Sequence, residues 1–397
     1  MAPTIIYITG FRQHAGKTVT SLGIISRLRK IMDPSRIGYI KPVGHELVEL
    51  PDGTLVDKDA EIMRMFSGIP DLDPRAVSPV KLFSGFTQHF LRSADQLQET
   101  RKLEDAILSC IDGLSRKEVV IAEGTGHPGV GGIVGLSNAD VANLMSAGMI
   151  YLSGGGLGKA LDMLEVDLSY FLYKKSRVRG IVFNKVIPEK SATMRSLVTE
   201  DLMNSKYGAF GGRLRILGFL PEISDLGKPS MRAIAEKYRG ADVLGRIHSE
   251  AWETPCASLR IISMDADAFR IEDYVRPRDV VILAASSRRR SRKILDAYIR
   301  SENRVQISGL VLTCGKTDVL DAEIRKDILA AGLPTVLVKD DTASAEQKIL
   351  EIYENTKLQT YDIRKIKEIE DLFEEHFPLD EFLETFEIGG EKTKAPQ

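Results

Sequence analysis

Between residues 5 and about 237, short β-branched runs closed by glycine or polar turns alternate with stretches of helical spacing. The runs at 5–9, 37–40, 119–122, 149–152, 180–184 and 216–219 are the predicted strands, and such alternation predicts parallel strands joined by crossover helices. A less regular, polar segment around 238–253 reads as a connection. Beyond it the rhythm restarts, with strands near 259–264, 280–284, 307–313 and 335–339 and helices near 291–301, 319–330 and 344–355. From 361 onward charge is dense and Ile, Leu and Phe are spaced along it, which predicts one or two amphipathic helices and a frayed end at 389–397. The pattern predicts an α/β chain: a domain with a mainly parallel sheet over 1–240, a smaller α/β domain over 241–360 and a helical tail over 361–397.

Composition narrows the classes of function more than the fold. The 54 basic and 56 acidic residues leave a formal charge of −2, so no global field favours nucleic acid or an anionic membrane. No apolar run approaches the roughly 20 residues that span a bilayer, and no charged segment followed by an apolar core opens the chain. The three cysteines, Cys110, Cys256 and Cys314, are far apart and lack CxxC spacing. That excludes a disulfide scaffold or a cysteine-framed zinc site and makes the reducing cytoplasm the expected compartment.

One stretch carries chemistry on its face. In "IIYITGFRQHAGKTVTSLG", residues 5–23, a strand-like run breaks into a glycine turn, reaches Gly16-Lys17-Thr18 and resumes with helical spacing. A glycine loop between strand and helix points backbone N–H groups inward, and the helix N-terminus adds partial positive charge, so polyphosphate is stabilised there. Gly10, His14, Ala15, Gly16, Lys17, Thr18 and Val19 are the candidate nucleotide contacts. Lys17 would neutralise the terminal phosphates and Thr18 would hold Mg²⁺ through its hydroxyl. Five residues separate Gly10 from Gly16, where the common pattern has four.

Magnesium needs further oxygen ligands. Glu123 directly follows an apolar run, at the carboxyl edge of the expected sheet, where open α/β folds bind ligands. Asp57 and Asp59 begin a helical stretch, where either is a candidate ligand or an N-terminal cap. Lys41 also ends a strand, and either faces a transferred phosphoryl group or is a solvated strand-end lysine. On this reading Lys17, Lys41 and Glu123 are the catalytic candidates, and Thr18, Asp59 and Glu123 the metal ligands.

Taken in order, "GFRQHAGKT", "GYIKPVG", the aspartates at 57 and 59, "IAEGTG", "VFNKV" and "LGFLPE" resemble dethiobiotin synthetase and its relatives over residues 5 to about 238. That family has five residues between the loop glycines. The resemblance implies ATP as nucleotide, Mg²⁺ on Thr18, Asp59 and Glu123, and Lys17 and Lys41 around the phosphates or an acyl-phosphate-like intermediate. It implies that Asn184 contacts the base, although asparagine also commonly ends a strand in a turn. The organic-substrate side departs: Gln13 and His14 stand where that family has Thr and Glu, and Gly44-His45 replaces a small hydroxyl-bearing stretch.

"VDKDAEIM", "EGTGHPGVGGIVGLSNADVANLM", "SGGGLGKALDML", "FNKVIPEK" and "PSMRAIAEKY" are more closely similar to the N-terminal region of long phosphate acetyltransferases and to phosphotransacetylase-like proteins on the same plan. Their second domain is the small α/β module named after a DRTGG motif. Here "VVILAASSRRR", "GLVLTCG" and "GLPTVLVKDDTASAEQKI" fall where its segments belong, with residues 286–290 in place of the motif itself. This resemblance implies a homodimer, and it implies no acetyl transfer, since that activity belongs to a further domain.

Three motifs stay open. "SGGGLGKAL" at 153–161 is either a second anion site or a tight turn, and His127 is either an acid–base group or a solvated loop residue. "SSRRRSRK" at 286–293 is either a solvated helix face or a pocket for a phosphorylated effector. The function expected is an ATP- and Mg²⁺-dependent protein that phosphorylates a carboxylate or carbamate-type substrate; the alternative is a regulatory ATPase or nucleotide sensor whose second domain reads a small effector.

Overall fold

The computed structural model describes residues 2–208, 213–238, 240–268, 270–300, 306–315 and 319–389. The chain divides into two compact units, one of Met1–Glu222 with Leu358–Gln397 and the other of Ile223–Lys357.

In the first unit the runs Thr4–Gly10 (β1), Ile37–Ile40 (β2), Val119–Glu123 (β3), Gly148–Ser153 (β4), Val178–Val186 (β5) and Arg215–Pro221 (β6) form one sheet, in the order β6-β5-β4-β1-β3-β2. Every neighbouring pair is parallel. These are the six strands the alternation predicts, most of them longer by a residue or more at their ends. Side chains alternate across the sheet, so Tyr7 of β1 joins the core on one face while Ile6 and Ile8 are buried on the other. Lys17–Leu28 (α1) follows β1, Lys58–Phe66 (α2) follows a short hairpin, and Leu157–Tyr173 (α3) follows β4. Leu164, Leu168 and Phe171 of α3 complete the core on the Tyr7 face. β2 and β3 are buried along their whole length and β1 from Ile6 to Gly10, which places their polar carboxyl ends, rather than their middles, within reach of a ligand.

Among the described residues the second unit has five strands: Asp242–Leu244 (β7), Leu259–Ile261 (β8), Val280–Ala284 (β9), Gly309–Thr313 (β10) and Thr335–Leu337 (β11), ordered β7-β11-β10-β9-β8. The sheet is mixed, because β7 runs antiparallel to β11 while the rest are parallel. Val281 and Leu283 of β9 enter one core and Val280 and Ile282 the other, so both faces are covered. The strand β7 lies in the segment expected to be a connection. The three residues of β7, lying between Gly240 and Gly245, give too short a pattern to announce a strand, and pairing with β11 creates it. Met231–Lys237, expected to close the first domain, packs here: Met231, Ile234 and Ala235 join Trp252 and Ile349 in one core.

Besides Met231–Lys237 and the short turns Glu250–Glu253 and Ile271–Tyr274, the described helices of this unit are Arg288–Arg300 (α4), Ala322–Ala331 (α5) and Thr342–Glu354 (α6). Asp321 and Asp341 set the starts of α5 and α6 by accepting backbone N–H groups from Ile324 and Ser344. The expected helix end at 301, and all but Gly389 of the frayed end expected at 389–397, lie outside the described residues.

The tail forms Ile363–His376 (α7) and Leu379–Phe386 (α8), and both belong to the first unit. Phe373, Phe377, Phe382 and Phe386 follow one another as tilted ring pairs with centroids 5.3, 5.4 and 5.3 Å apart. Phe373 fills the space beside Gly23 of α1, and Phe386 lies against Gly148 at the start of β4. Glu384 pairs with Arg215 at 2.9 Å, and Glu374 pairs with Arg27 and Lys30 of α1. Among the described residues no helix is long and apolar enough to cross a membrane.

Candidate functional site

Gly10 is the last residue of β1, and Lys17, Thr18 and Val19 open α1. The turn between them depends on Gly16, whose φ is +95° and whose absent Cβ would lie 2.3 Å from the Asn184 amide nitrogen. A side chain there meets both a left-handed backbone and a filled space. Asn184, in β5, donates from Nδ2 to Ala15 O at 2.8 Å and accepts at Oδ1 from Lys185 N at 2.9 Å. It therefore pins the loop from behind while keeping one N–H and one lone pair for a further partner.

The side chains predicted to hold metal and phosphate converge in front of α1. Thr18 Oγ1 is 2.8 Å from Glu123 Oε1 and 3.1 Å from Asp59 Oδ1. Lys41, just past β2, places its ammonium 2.6 Å from Asp59 Oδ2, 3.0 Å from Glu123 Oε1 and 3.3 Å from Gly124 O. Lys17 Nζ donates to Gly126 O at 2.8 Å and to Arg12 O at 3.2 Å. The two readings of the aspartates separate here: Asp57 is the N-cap of α2, accepting from Asp59 N at 2.9 Å, and Asp59 is thereby turned toward Thr18. Lys41 is only 4% exposed and so is not the solvated lysine of the alternative reading.

Sequence reasoning passed over Tyr39. Its buried hydroxyl donates to Glu123 Oε2 at 3.1 Å, fixing the carboxylate so that Oε1 faces Thr18 and Lys41. The available signal was period two, since Tyr39 and Lys41 are two residues apart on an extended run. Asn138 was also missed. It accepts from Tyr7 and Thr125 and donates to the carbonyls of Thr125 and His127, tying down the loop after β3. The neighbouring Ser137 and Asp140 form a capping box at the start of the helix Asn138–Leu144.

Burial and charge work against each other at these groups. Burial would depress the Lys41 ammonium, but Asp59, then Glu123 and Asp57, outweigh it and hold it above the usual lysine value. Burial raises Glu123, with Lys41 opposing, and pushes Asp57 up to about 7 despite Lys41. Burial would also raise Asp59, yet the charge and hydrogen bond of Lys41 bring it down to about 2. Removing one member of such a buried pair typically costs about 3–5 kcal/mol, because the other charge is left uncompensated.

Among the described residues no group of three or more His, Cys, Asp or Glu side chains could by itself hold a metal ion. Mg²⁺ is usually held by one or two carboxylates, a hydroxyl and substrate phosphates. The donor set fits: Thr18, Asp59 and Glu123 gather oxygen atoms around a cationic ammonium.

On the other side of the loop lies a cavity of about 210 Å³ whose lining includes Phe11, His14, Ala15, Asn184, Lys185 and Glu222. The glycine motif at 154–156 lines the same cavity, ahead of α3, so it belongs to this site. Burial and then Arg12 hold the Lys185 ammonium below its usual value.

The substrate-side residues are not gathered as tightly. Gln13 Nε2 is 3.5 Å from Glu46 Oε1, at the limit of a hydrogen bond, and His45 is exposed. His127 is exposed too, and its Nδ1 accepts from Gly129 N at 3.2 Å. In the second unit the basic run is largely matched: Arg288 pairs with Asp321, Arg289 with Asp267 and Arg292 with Asp327, while Arg290 donates to Ile262 O.

Residues 4–230 match the family AAA_26, described as an AAA domain, which is more than half of the 397-residue chain. Solved structures similar to it at low identity include three of different kinds. One is the CBS and DRTGG domains of the regulatory region of Clostridium perfringens pyrophosphatase complexed with its activator diadenosine tetraphosphate (11% identity, TM-score 0.26, 43% of this chain and 73% of that one). Another is the signal recognition particle receptor FtsY from Elizabethkingia anophelis in complex with GDP (10%, TM-score 0.31, 56% and 58%). The third is apo McdA from Cyanthece (11%, TM-score 0.33, 55% and 86%). TM-scores this low carry no argument about what the present chain binds.

Proposed function

Because the chain belongs to the AAA_26 family of AAA domains, we propose that its first unit binds ATP with Mg²⁺ and phosphorylates a carboxylate or carbamate-type substrate. The observation that carries the reading is the convergence of Thr18, Asp59, Glu123 and Lys41 at the start of α1, with Lys17 beside them. The cavity flanked by Asn184 and Glu222 supports the nucleoside end, where the remaining N–H and lone pair of Asn184 suit the edge of a base. Thr18, Asp59 and Glu123 would hold the Mg²⁺, whose contribution when bound is to neutralise phosphate charge. The protein's own task is positioning: α1 directs N–H groups at the phosphates, Lys17 and Lys41 supply positive charge, and Tyr39 keeps Glu123 in place. The homodimer implied by the sequence resemblance belongs to the same reading and is tested by light scattering.

Lys17→Ala is expected to abolish detectable ATP binding in calorimetry, since only backbone donors then face the polyphosphate. Glu123→Gln is expected to keep much of the binding while lowering turnover, because it alters a metal-linked charge without touching the phosphate cradle. Unchanged affinity in the first variant, or normal ADP release by the second, refutes these roles. A second reading, a regulatory ATPase, is supported by the substrate side, where Gln13 approaches Glu46 and His45 is exposed. ADP release measured with ATP·Mg²⁺ and a panel of small acids separates the two. Turnover only with an added acid supports the phosphorylating enzyme, and turnover without one supports the regulatory ATPase.

A further inference from the structure

Asp59 and Glu123 both approach the Thr18 hydroxyl, at 3.1 and 2.8 Å, so two carboxylates share one small volume. Glu123 is 1% exposed and is tied at Oε2 by Tyr39, which leaves Oε1 as the oxygen turned toward Thr18. Lys41 occupies that same oxygen at 3.0 Å, Asp59 Oδ2 at 2.6 Å and Gly124 O at 3.3 Å. An ammonium has three N–H donors, and here each meets an acceptor. A hard cation seated between Thr18 and Glu123 must therefore compete with Lys41 for Glu123 Oε1.

The competitors differ in what they can do next. Glu123 and Tyr39 are fixed on buried strands, whereas Lys41 carries its charge on a flexible four-carbon stem. A divalent cation arriving alone would add its charge beside Lys41 and Lys17. The same cation arriving on a triphosphate brings a larger negative charge, toward which the Lys41 ammonium can turn as it leaves the carboxylates.

We propose that Lys41 is a resident cation of this site, which excludes free divalent metal from Asp59 and Glu123 and gives way only to the metal–nucleotide complex. The proposal rests on the ATP·Mg²⁺ reading above and adds an order of events to it. Lys41 balances the carboxylates before nucleotide arrives and the phosphates afterwards, so metal and nucleotide enter together.

Mn²⁺ is the probe, its free concentration read by electron paramagnetic resonance on the full chain stripped with chelator and desalted. Wild type is expected to bind Mn²⁺ weakly without nucleotide and at least tenfold more tightly with a non-hydrolysable ATP analogue. Lys41→Met and Lys41→Gln are expected to bind Mn²⁺ alone at least tenfold more tightly than wild type. Adding Glu123→Gln to either is expected to remove the gain. Tight Mn²⁺ binding by nucleotide-free wild type overturns the proposal without recourse to any variant, which covers the case in which both variants fail to fold. Equal Mn²⁺ affinities for wild type and a folded variant also overturn it, as does a gain that survives Glu123→Gln. Calorimetry of the analogue against wild type is a separate arm: its failure removes the ATP reading, whereas the metal-only comparison judges Lys41 by itself.

Discussion

Gly23 lies in the interior of α1, where replacing glycine by alanine ordinarily gains about 1 kcal/mol of helix stability. Here the sign should reverse. A Cβ at Gly23 would sit 2.1 Å from the Phe373 ring, and overpacking of that kind costs about 1–3 kcal/mol. Gly23→Ala is therefore expected to lower the thermal midpoint of the full chain, and to become neutral or stabilising once Phe373→Ala has opened the space. A midpoint raised by Gly23→Ala alone would show that α7 does not press on α1 as described. Residue identity alone disclosed much of the site: Lys17, Thr18, Asp59, Glu123 and Lys41 were all named from their positions at strand ends and helix starts, and the structure brings them together. What it did not disclose was which of Asp57 and Asp59 is spent as a cap. That depends on where α2 lies relative to α1, a relation between residues 41 positions apart.

At the scale of elements, α7 and α8 show how little an amphipathic pattern says about its partner. Their spaced Ile, Leu and Phe announced a buried face, and the face it meets is that of α1, β5 and β6 in the first unit. Ile369, Leu372, Phe373, Phe377, Phe382 and Phe386 are all buried. Fully burying one such side chain is worth about 1.5–3 kcal/mol, so together they rival the roughly 5–15 kcal/mol net stability of a typical domain. A chain ending at residue 357 is thus expected to be insoluble, or to bind the dye ANS with a broadened unfolding transition. A monodisperse product with an unchanged transition would show that the tail is dispensable. The same argument applies to a fragment ending at 240, which also lacks these helices. The arginine-rich start of α4 shows the converse, a conspicuous pattern with an ordinary use, since its charges are matched by Asp321, Asp267 and Asp327.

For the whole molecule, the second unit is inserted between Glu222 and Leu358, so the informative deletion is internal rather than terminal. Joining Glu222 to Leu358 through a flexible Gly/Ser linker and removing 223–357 is expected to leave a folded first unit that still binds ATP. If the second unit regulates, this protein will differ from the full chain in mass by light scattering beyond the deleted residues, or in ATP affinity. Agreement in both would end the regulatory reading, and failure to fold would show that the units do not have independent cores. The sequence by itself determined the strand–helix alternation, the parallel sheet and the phosphate loop, because each is written in short-range periodicity and in turn residues only a few positions apart. Tertiary structure alone decided that β7 is a strand, that Met231–Lys237 packs in the second unit, that the tail closes over α1, and that Tyr39 stands behind Glu123. Each of these depends on contact between segments distant in the chain, and a local pattern records only that a face will be buried, not what will cover it.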